Sequence, residues 1–173
     1  MRRTDRTGII VLAVLIALIG LCVLILIHPA FAAAEGDNDY QVWALLKPGD
    51  YVNVRLAPNK KSSKIGYLDA GDGCWTDGKT KNGFLHVYGV GETDGWVYKW
   101  YMVTEKPEVV NEYYVVTAIK RVICRKGVGG PRIKGRLGWM KNGTRVKVFC
   151  IAGEWALTNR GYVKSEWLEV DPG

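Results

Sequence analysis

Trp96, Tyr98 and Trp100 follow one another at intervals of two, so on an extended chain their rings leave one side, away from Val97, Lys99 and Tyr101. Three rings in a row either fill a core or floor a shallow groove, where flat apolar faces exclude water at little cost in side-chain entropy. Trp75, just before the Asp77-Gly78 turn signal, is a further ring placed to meet solvent. Trp139, Trp155, Tyr162 and Trp167 are comparable rings later in the chain. Covalent chemistry is poorly supplied. A cysteine nucleophile needs a histidine in reach, and beyond residue 34 there is one, His86, in the middle of Phe84-Leu85-His86-Val87-Tyr88. Packing accounts for Cys74 and His86 better than catalysis does. Cys74, Cys124 and Cys150 with one histidine have none of the short ligand spacings of a zinc site, so no catalytic residue, metal or cofactor is expected.

The address of the chain comes from its start. Arg2, Arg3 and Arg6 precede an uncharged apolar run, Gly8 to Ile27, in the pattern of an export signal. At ~1.5 Å per residue a helix of that length reaches ~30 Å, enough to span a bilayer core. His28-Pro29 would end such a helix, and Ala30-Phe31-Ala32 with Ala33-Ala34 offers a peptidase site. Residues 1–34 are therefore a signal peptide or a transmembrane anchor, and both outcomes place the rest outside the cytoplasm. Export also argues against nucleic acid as the partner of a basic chain. Without the leader, 21 Lys and Arg face 16 Asp and Glu, a balance that favours an anionic polymer or a membrane surface.

What positions the rings is read from turns and alternation. The chain has 21 Gly, seven Trp and nine Tyr against three Phe, and no helical stripe is visible after residue 40. Val146, Val148 and Cys150 alternate with Arg145, Lys147 and Phe149, the period of a half-buried strand. Lys81-Asn82-Gly83 and Lys141-Asn142-Gly143 predict hairpin turns, and Arg132, Lys134 and Arg136 alternate as on a strand. The chain also repeats. Leu46 to Arg55 lies on Val116 to Arg125 without a gap, Gly66-Tyr67-Leu68 on Gly135-Arg136-Leu137, and Gly95-Trp96-Val97 on Gly161-Tyr162-Val163. Two units of roughly 60 residues follow, near the lower limit for a self-supporting core. Thr104-Glu105-Lys106-Pro107-Glu108 reads as a short polar join, so the units are expected to touch. Short strands and many turns in so few residues predict small, strongly bent all-β barrels.

These residues resemble the bacterial Src-homology-3 domains. Asn53-Val54-Arg55, Pro58, Ile65-Gly66-Tyr67-Leu68, Gly95-Trp96-Val97 and the finish Tyr101-Met102 stand in that family's order. The second unit is looser, with Ile123 for the asparagine, Tyr162 for the tryptophan, Thr158 for a core valine and Trp167-Leu168 as the finish. The resemblance implies two SH3-like barrels in tandem after a hydrophobic helix, over 40–104 and 112–170, with 105–111 as linker. It also implies that Val97 is buried, which turns Trp96, Tyr98 and Trp100 outward, and that Trp155 and Trp167 serve packing. Cys124 falls on a core position, and with Cys150 also inward the two could bridge. Arg55 and Arg125 recur at equivalent sites, where a hydrogen bond within the fold explains them better than ligand capture. The loop Asn59-Lys60-Lys61-Ser62-Ser63-Lys64 is read as solvated. The expected ligand-binding rings are Trp75, Trp96, Tyr98, Trp100, Trp139 and Tyr162. The family implies cell-wall peptide or peptidoglycan as partner of a non-enzymatic extracytoplasmic module. The alternative is an envelope interaction protein that binds another exported protein, with the membrane reached through residues 8–27 if the leader is retained.

Overall fold

Alternation sets the strands. In Arg145–Ala152 every second side chain, Val146, Val148, Cys150 and Ala152, is buried, as a period of two requires. The structure, a computed structural model, describes residues 39–91 and 93–173, so the expected leader 1–34 and its apolar run lie outside the described residues. Those described are all-β apart from three 3-10 turns and form several sheets within one compact unit. Among them, no helix is long and apolar enough to cross a membrane.

The first half contains β1 (Tyr40–Ala44), β2 (Tyr51–Arg55), β3 (Lys64–Asp69), β4 (Gly73–Thr76), β5 (Thr80–Lys81), β6 (Phe84–Val87) and β7 (Gly95–Tyr98). A 3-10 turn over Lys99–Tyr101 then leads to β8 (Met102–Val103). Antiparallel pairing gives the orders β3-β2-β7-β6-β5 and β4-β1-β8, and Trp75 and Tyr88 exchange backbone bonds between the two sheets. Asn82 at φ 53° and Gly83 at φ 81° turn β5 into β6 as the two-residue primed turn the sequence predicts. The second half contains β9 (Glu108–Val116), β10 (Val122–Ile123), β11 (Trp139–Met140), β12 (Arg145–Ala152), β13 (Trp155–Thr158) and β14 (Gly161–Lys164). A 3-10 turn over Ser165–Trp167 precedes β15 (Leu168–Val170), and the sheet order is β14-β13-β12-β9-β15 with β10-β11 apart.

The halves repeat register by register. β6 and β7 pair Leu85 with Val97 and His86 with Trp96, while β13 and β14 pair Ala156 with Val163 and Leu157 with Tyr162. Arg55 pairs with Trp96 as Arg125 pairs with Tyr162. The glycine opening each of these strands has one physical reason, because the chain approaches β2 or its counterpart too closely for a side chain. A Cβ on Gly161, at φ 109°, would lie 2.6 Å from the Arg125 carbonyl oxygen, and one on Gly95 would strike Val54. Gly161→Ala is therefore expected to destabilise the fold by more than about 1 kcal/mol, read as a lower urea midpoint.

Four sequence expectations need correction. β2 pairs Val52 with Leu68 and Asn53 with Tyr67, and β10 pairs Val122 with Met140 and Ile123 with Trp139. Gly66-Tyr67-Leu68 thus corresponds to Gly138-Trp139-Met140, three residues beyond Gly135-Arg136-Leu137. Thirteen positions separate Arg125 from Gly138, against eleven from Arg55 to Gly66. The extra length is taken up by a 3-10 turn over Gly135–Gly138, so Arg132, Lys134 and Arg136 do not alternate along a strand. The expected linker 105–111 is shorter too, because β9 begins at Glu108 and continues through a bulge at Asn111, φ 52°. Lastly, Lys141-Asn142-Gly143 is a turn closed by the Thr144 N–H on the Lys141 carbonyl, but not a hairpin, since β11 pairs with β10 and β12 with β9 and β13.

The buried side chains fall into three clusters. One belongs to the first half around Val54, Leu85 and Val97, and one to the second half around Val116, Val148 and Val163. The third is a seam that draws on both, setting Leu45 and Val103 against Cys150, Trp155, Leu157 and Tyr162. Cys74, Cys124 and Cys150 are all free and each sits in a different cluster, so the Cys124–Cys150 bridge does not form. The bulge in β12 between Val148 and Cys150 is where that strand leaves the second core for the seam. Thr158, opposite Gly161 as Val87 is opposite Gly95, is buried at no loss of polar satisfaction, because its hydroxyl donates to the Gly161 carbonyl and accepts the Arg160 N–H.

Candidate functional site

β6 and β7 send Leu85, Val87 and Val97 into the first core and turn His86, Trp96 and Tyr98 to the other side. There the side chains form a strip of rings. His86 leans on Trp96 with centroids 5.0 Å apart, Phe84 meets Tyr98 edge-on at 5.3 Å, and Tyr98 meets Trp100 edge-on at 5.1 Å. Trp96, Tyr98 and Trp100 are each half-buried, so every ring keeps part of its surface in water. Edge-to-face contacts hold the rings at fixed angles, which limits the side-chain freedom a ligand would have to remove.

The loop after β2 walls this strip. Arg55 donates from its guanidinium to the Ser62 carbonyl at 2.8 Å, and the Ser62 hydroxyl accepts the Ala57 N–H at 2.8 Å. The Asn82 side-chain amide donates to the Pro58 carbonyl at 3.3 Å, and the Lys60 ammonium sits 5.4 Å above the Tyr98 ring. Arg125 makes the equivalent bond to the Gly130 carbonyl at 2.8 Å. Both arginines therefore hold loops within the fold. Lys60, read from sequence as solvated, is the loop residue that reaches the rings.

Beneath the strip, Asp77 takes the His86 Nδ1 at 3.1 Å and the Lys79 ammonium at 2.7 Å. Burial alone would raise the Asp77 carboxyl, but the bonds from Lys79 and His86 outweigh it and hold the group below its ordinary value. The carboxylate thus stays charged at neutral pH and fixes the imidazole beside Trp96. Cys74 faces the opposite way, into the first core, where burial pushes its thiol up to about 12. Cys74 belongs to β4 of the other sheet and lies in the core, from which His86 on β6 is turned away, and a thiol so buried is not a thiolate at neutral pH. Burial raises Cys124 and Cys150 as well. Residues 36–173 are accordingly expected to leave all three thiols unreacted with an aromatic disulfide reagent until denaturant is added. A thiol that titrates in the folded protein would contradict this. Among the described residues, no group of three or more His, Cys, Asp or Glu is placed to hold a metal ion.

The six rings expected from sequence separate into different places. Trp96 and Tyr98 form the strip. Trp100 joins it from the 3-10 turn rather than from the strand, and it also meets the 127–130 loop of the second half. Its carbonyl accepts the Val128 N–H at 2.7 Å, and a Cβ on Gly127 would lie 2.5 Å from the Trp100 Cβ. Trp75 stands on β4 opposite Gln41 and is 45% exposed. Trp139 lies in the second half on β11, covered by the Arg121 guanidinium at 4.0 Å. Tyr162 is not a surface ring. It is buried in the seam at 6% exposure, and its hydroxyl donates to the Leu45 carbonyl at 2.7 Å. Trp155 is buried as expected, whereas Trp167, also expected to pack, is 38% exposed. His86 and Phe84 were missed as ring partners. Counting the hairpin register back from Gly95 would have found His86 opposite Trp96.

No family model matches the chain, and no curated protein matches it. Among solved structures, it is similar to NlpC1 from Trichomonas vaginalis, at 16% identity and a TM-score of 0.30, covering 77% of this chain and 46% of that one. It is also similar to NlpC2 from Trichomonas vaginalis, at 16% identity and a TM-score of 0.32, covering 76% of this chain and 48% of that one. The chain spans about half the length of these two structures.

Proposed function

We propose that this chain is a non-enzymatic extracytoplasmic binding module made of two SH3-like barrels, and that it takes an extended peptide of the cell wall on one ring strip in its first half. One observation carries this reading. The His86–Trp96 pair and the Leu157–Tyr162 pair occupy the same register of the repeat, yet only the second is covered by the other half. The second copy of the face is spent on the seam, and the first is left open with its rings held at angles and a pinned loop beside them. Such a surface recognises an extended chain by apolar contact, while Lys60 and the Asp77–His86 pair supply the few polar groups that fix orientation. Export, expected from the arginine-flanked apolar run, puts that surface where wall peptide is found.

The alternative ligand is a surface of another exported protein. Trp75, exposed and off the strip, favours it, because a flat partner reaches further than a single groove. Sedimentation of residues 36–173 with purified peptidoglycan separates the two. Retention that survives added salt is the expected result, and a fragment left in the supernatant at low salt removes the wall-peptide reading.

A further inference from the structure

Charge is divided unevenly between the halves. Residues 39–104 hold eight Lys and Arg against seven Asp and Glu, but between Glu112 and Glu154 there are ten Lys and Arg and no acid at all. Among the described residues, Arg145 alone of those ten pairs with a carboxylate, that of Asp171. Four of the ten, Lys120, Arg121, Arg132 and Lys141, are gathered on the outer side of β10 and β11. Ile123 pairs across to Trp139 there, and the Arg121 guanidinium and Lys141 ammonium lie 4.0 Å and 6.0 Å from the centre of the Trp139 ring. An opening of about 800 Å³ is bordered by Arg121, Arg132, Trp139 and Lys141. A second, of about 360 Å³, lies beside it between Arg125, Lys164 and Trp167, and the two share Lys120, Arg121 and Ile123. Apolar side chains stand among these charges. Ile119 is fully exposed at 101%, and Ile123 and Trp167 are exposed as well.

We propose that this face of the second half docks on the surface of an anionic lipid bilayer. Cations alone attract any polyanion. A soluble polyanion, however, gives Ile119, Ile123 and Trp167 nothing to bury against. A bilayer surface uses both features at once, since lysines and arginines meet the anionic headgroups while isoleucine and indole enter the headgroup boundary. The ring strip of the first half takes no part, so this inference stands apart from the wall-peptide reading.

Every residue of the three cores lies between Val42 and Leu168, so residues 36–173 are a fair test fragment. It is incubated with sedimenting vesicles of phosphatidylcholine mixed with phosphatidylglycerol, and with phosphatidylcholine alone, at physiological ionic strength. The fragment is expected to go down with the mixed vesicles only, and less as salt rises. Arg121→Ala and Lys141→Ala should each lower the partition coefficient about fivefold. Ile119→Ser should lower it about tenfold, and Trp96→Ala should leave it unchanged. Lys120→Ala repeats the charge test at another exposed side chain, and unchanged urea midpoints show that the variants fold. Equal partition into both vesicles, or none into either, overturns the proposal. So does binding that ignores Ile119→Ser and is competed away by soluble polyphosphate, a result that would give the face to a soluble polyanion.

Discussion

Tyr162→Ala is expected to lower the stability of residues 36–173 by about 3–5 kcal/mol, the range for removing a buried aromatic side chain. The ring is buried among Leu45, Val103, Trp155 and Leu157, and its hydroxyl donates to a carbonyl 117 positions earlier in the chain. Burial raises its phenol well above the ordinary tyrosine value, so the hydroxyl remains a donor at all physiological pH. Two effects are separable. Tyr162→Phe keeps the ring and leaves the Leu45 carbonyl without its donor, which costs about 1–3 kcal/mol for a buried polar group. Tyr162→Ala also opens a cavity on the line where the halves meet. Since neither half of roughly 60 residues has a large core of its own, urea unfolding of the alanine variant should split into two transitions where the parent shows one. A single transition shifted by no more than a surface substitution would show that the seam does not couple the halves.

The period of two carries most of what could be read in advance. It places Val146, Val148 and Cys150 inward on β12 and Val97 inward on β7, and the repeated glycines before Trp96 and Tyr162 mark one close approach made twice. Loop length is not written in that period. Gly135-Arg136-Leu137 matches Gly66-Tyr67-Leu68 in its glycine and leucine, Gly138-Trp139-Met140 matches it in its glycine and ring, and the ladder bonds select the second. Trp100 shows a second limit, since a three-residue 3-10 turn is too short to leave a periodic signal. The cysteines show a third. Cys124 and Cys150 are both inward, but the bulge in β12 sends the second into the seam and away from the first. Tyr162 has the same strand parity as Trp96, so local pattern makes the two equivalent. What separates them is which copy of the face the other half covers, and that depends on Leu45 and Val103, distant in sequence.

That asymmetry bears directly on binding. If both copies of the ring face worked, the chain would hold two sites on a short connection and gain avidity from a repeating wall polymer. With Tyr162 and Leu157 buried, a soluble wall peptide should titrate residues 36–173 at one site per chain. Trp96→Ala should then remove most of the affinity. Truncating a central aromatic anchor typically costs about 2–4 kcal/mol, so the dissociation constant should rise by about thirtyfold or more. The variant is expected to keep its fold, because Trp96 points away from the first core and its neighbours there, Val54, Val87 and Val97, are untouched. Trp139→Ala, on the far half, should leave peptide binding where it was. Asp77→Asn adds a test of orientation. Without the charged carboxylate the His86 ring loses its anchor beside Trp96, and a modest loss of affinity with an unchanged count of sites is expected. Calorimetric titration reads number and affinity together. A fitted value of two sites, or full affinity in Trp96→Ala, would move the ligand off the strip and leave the exposed indoles, Trp75 and Trp167, as the rings to examine next.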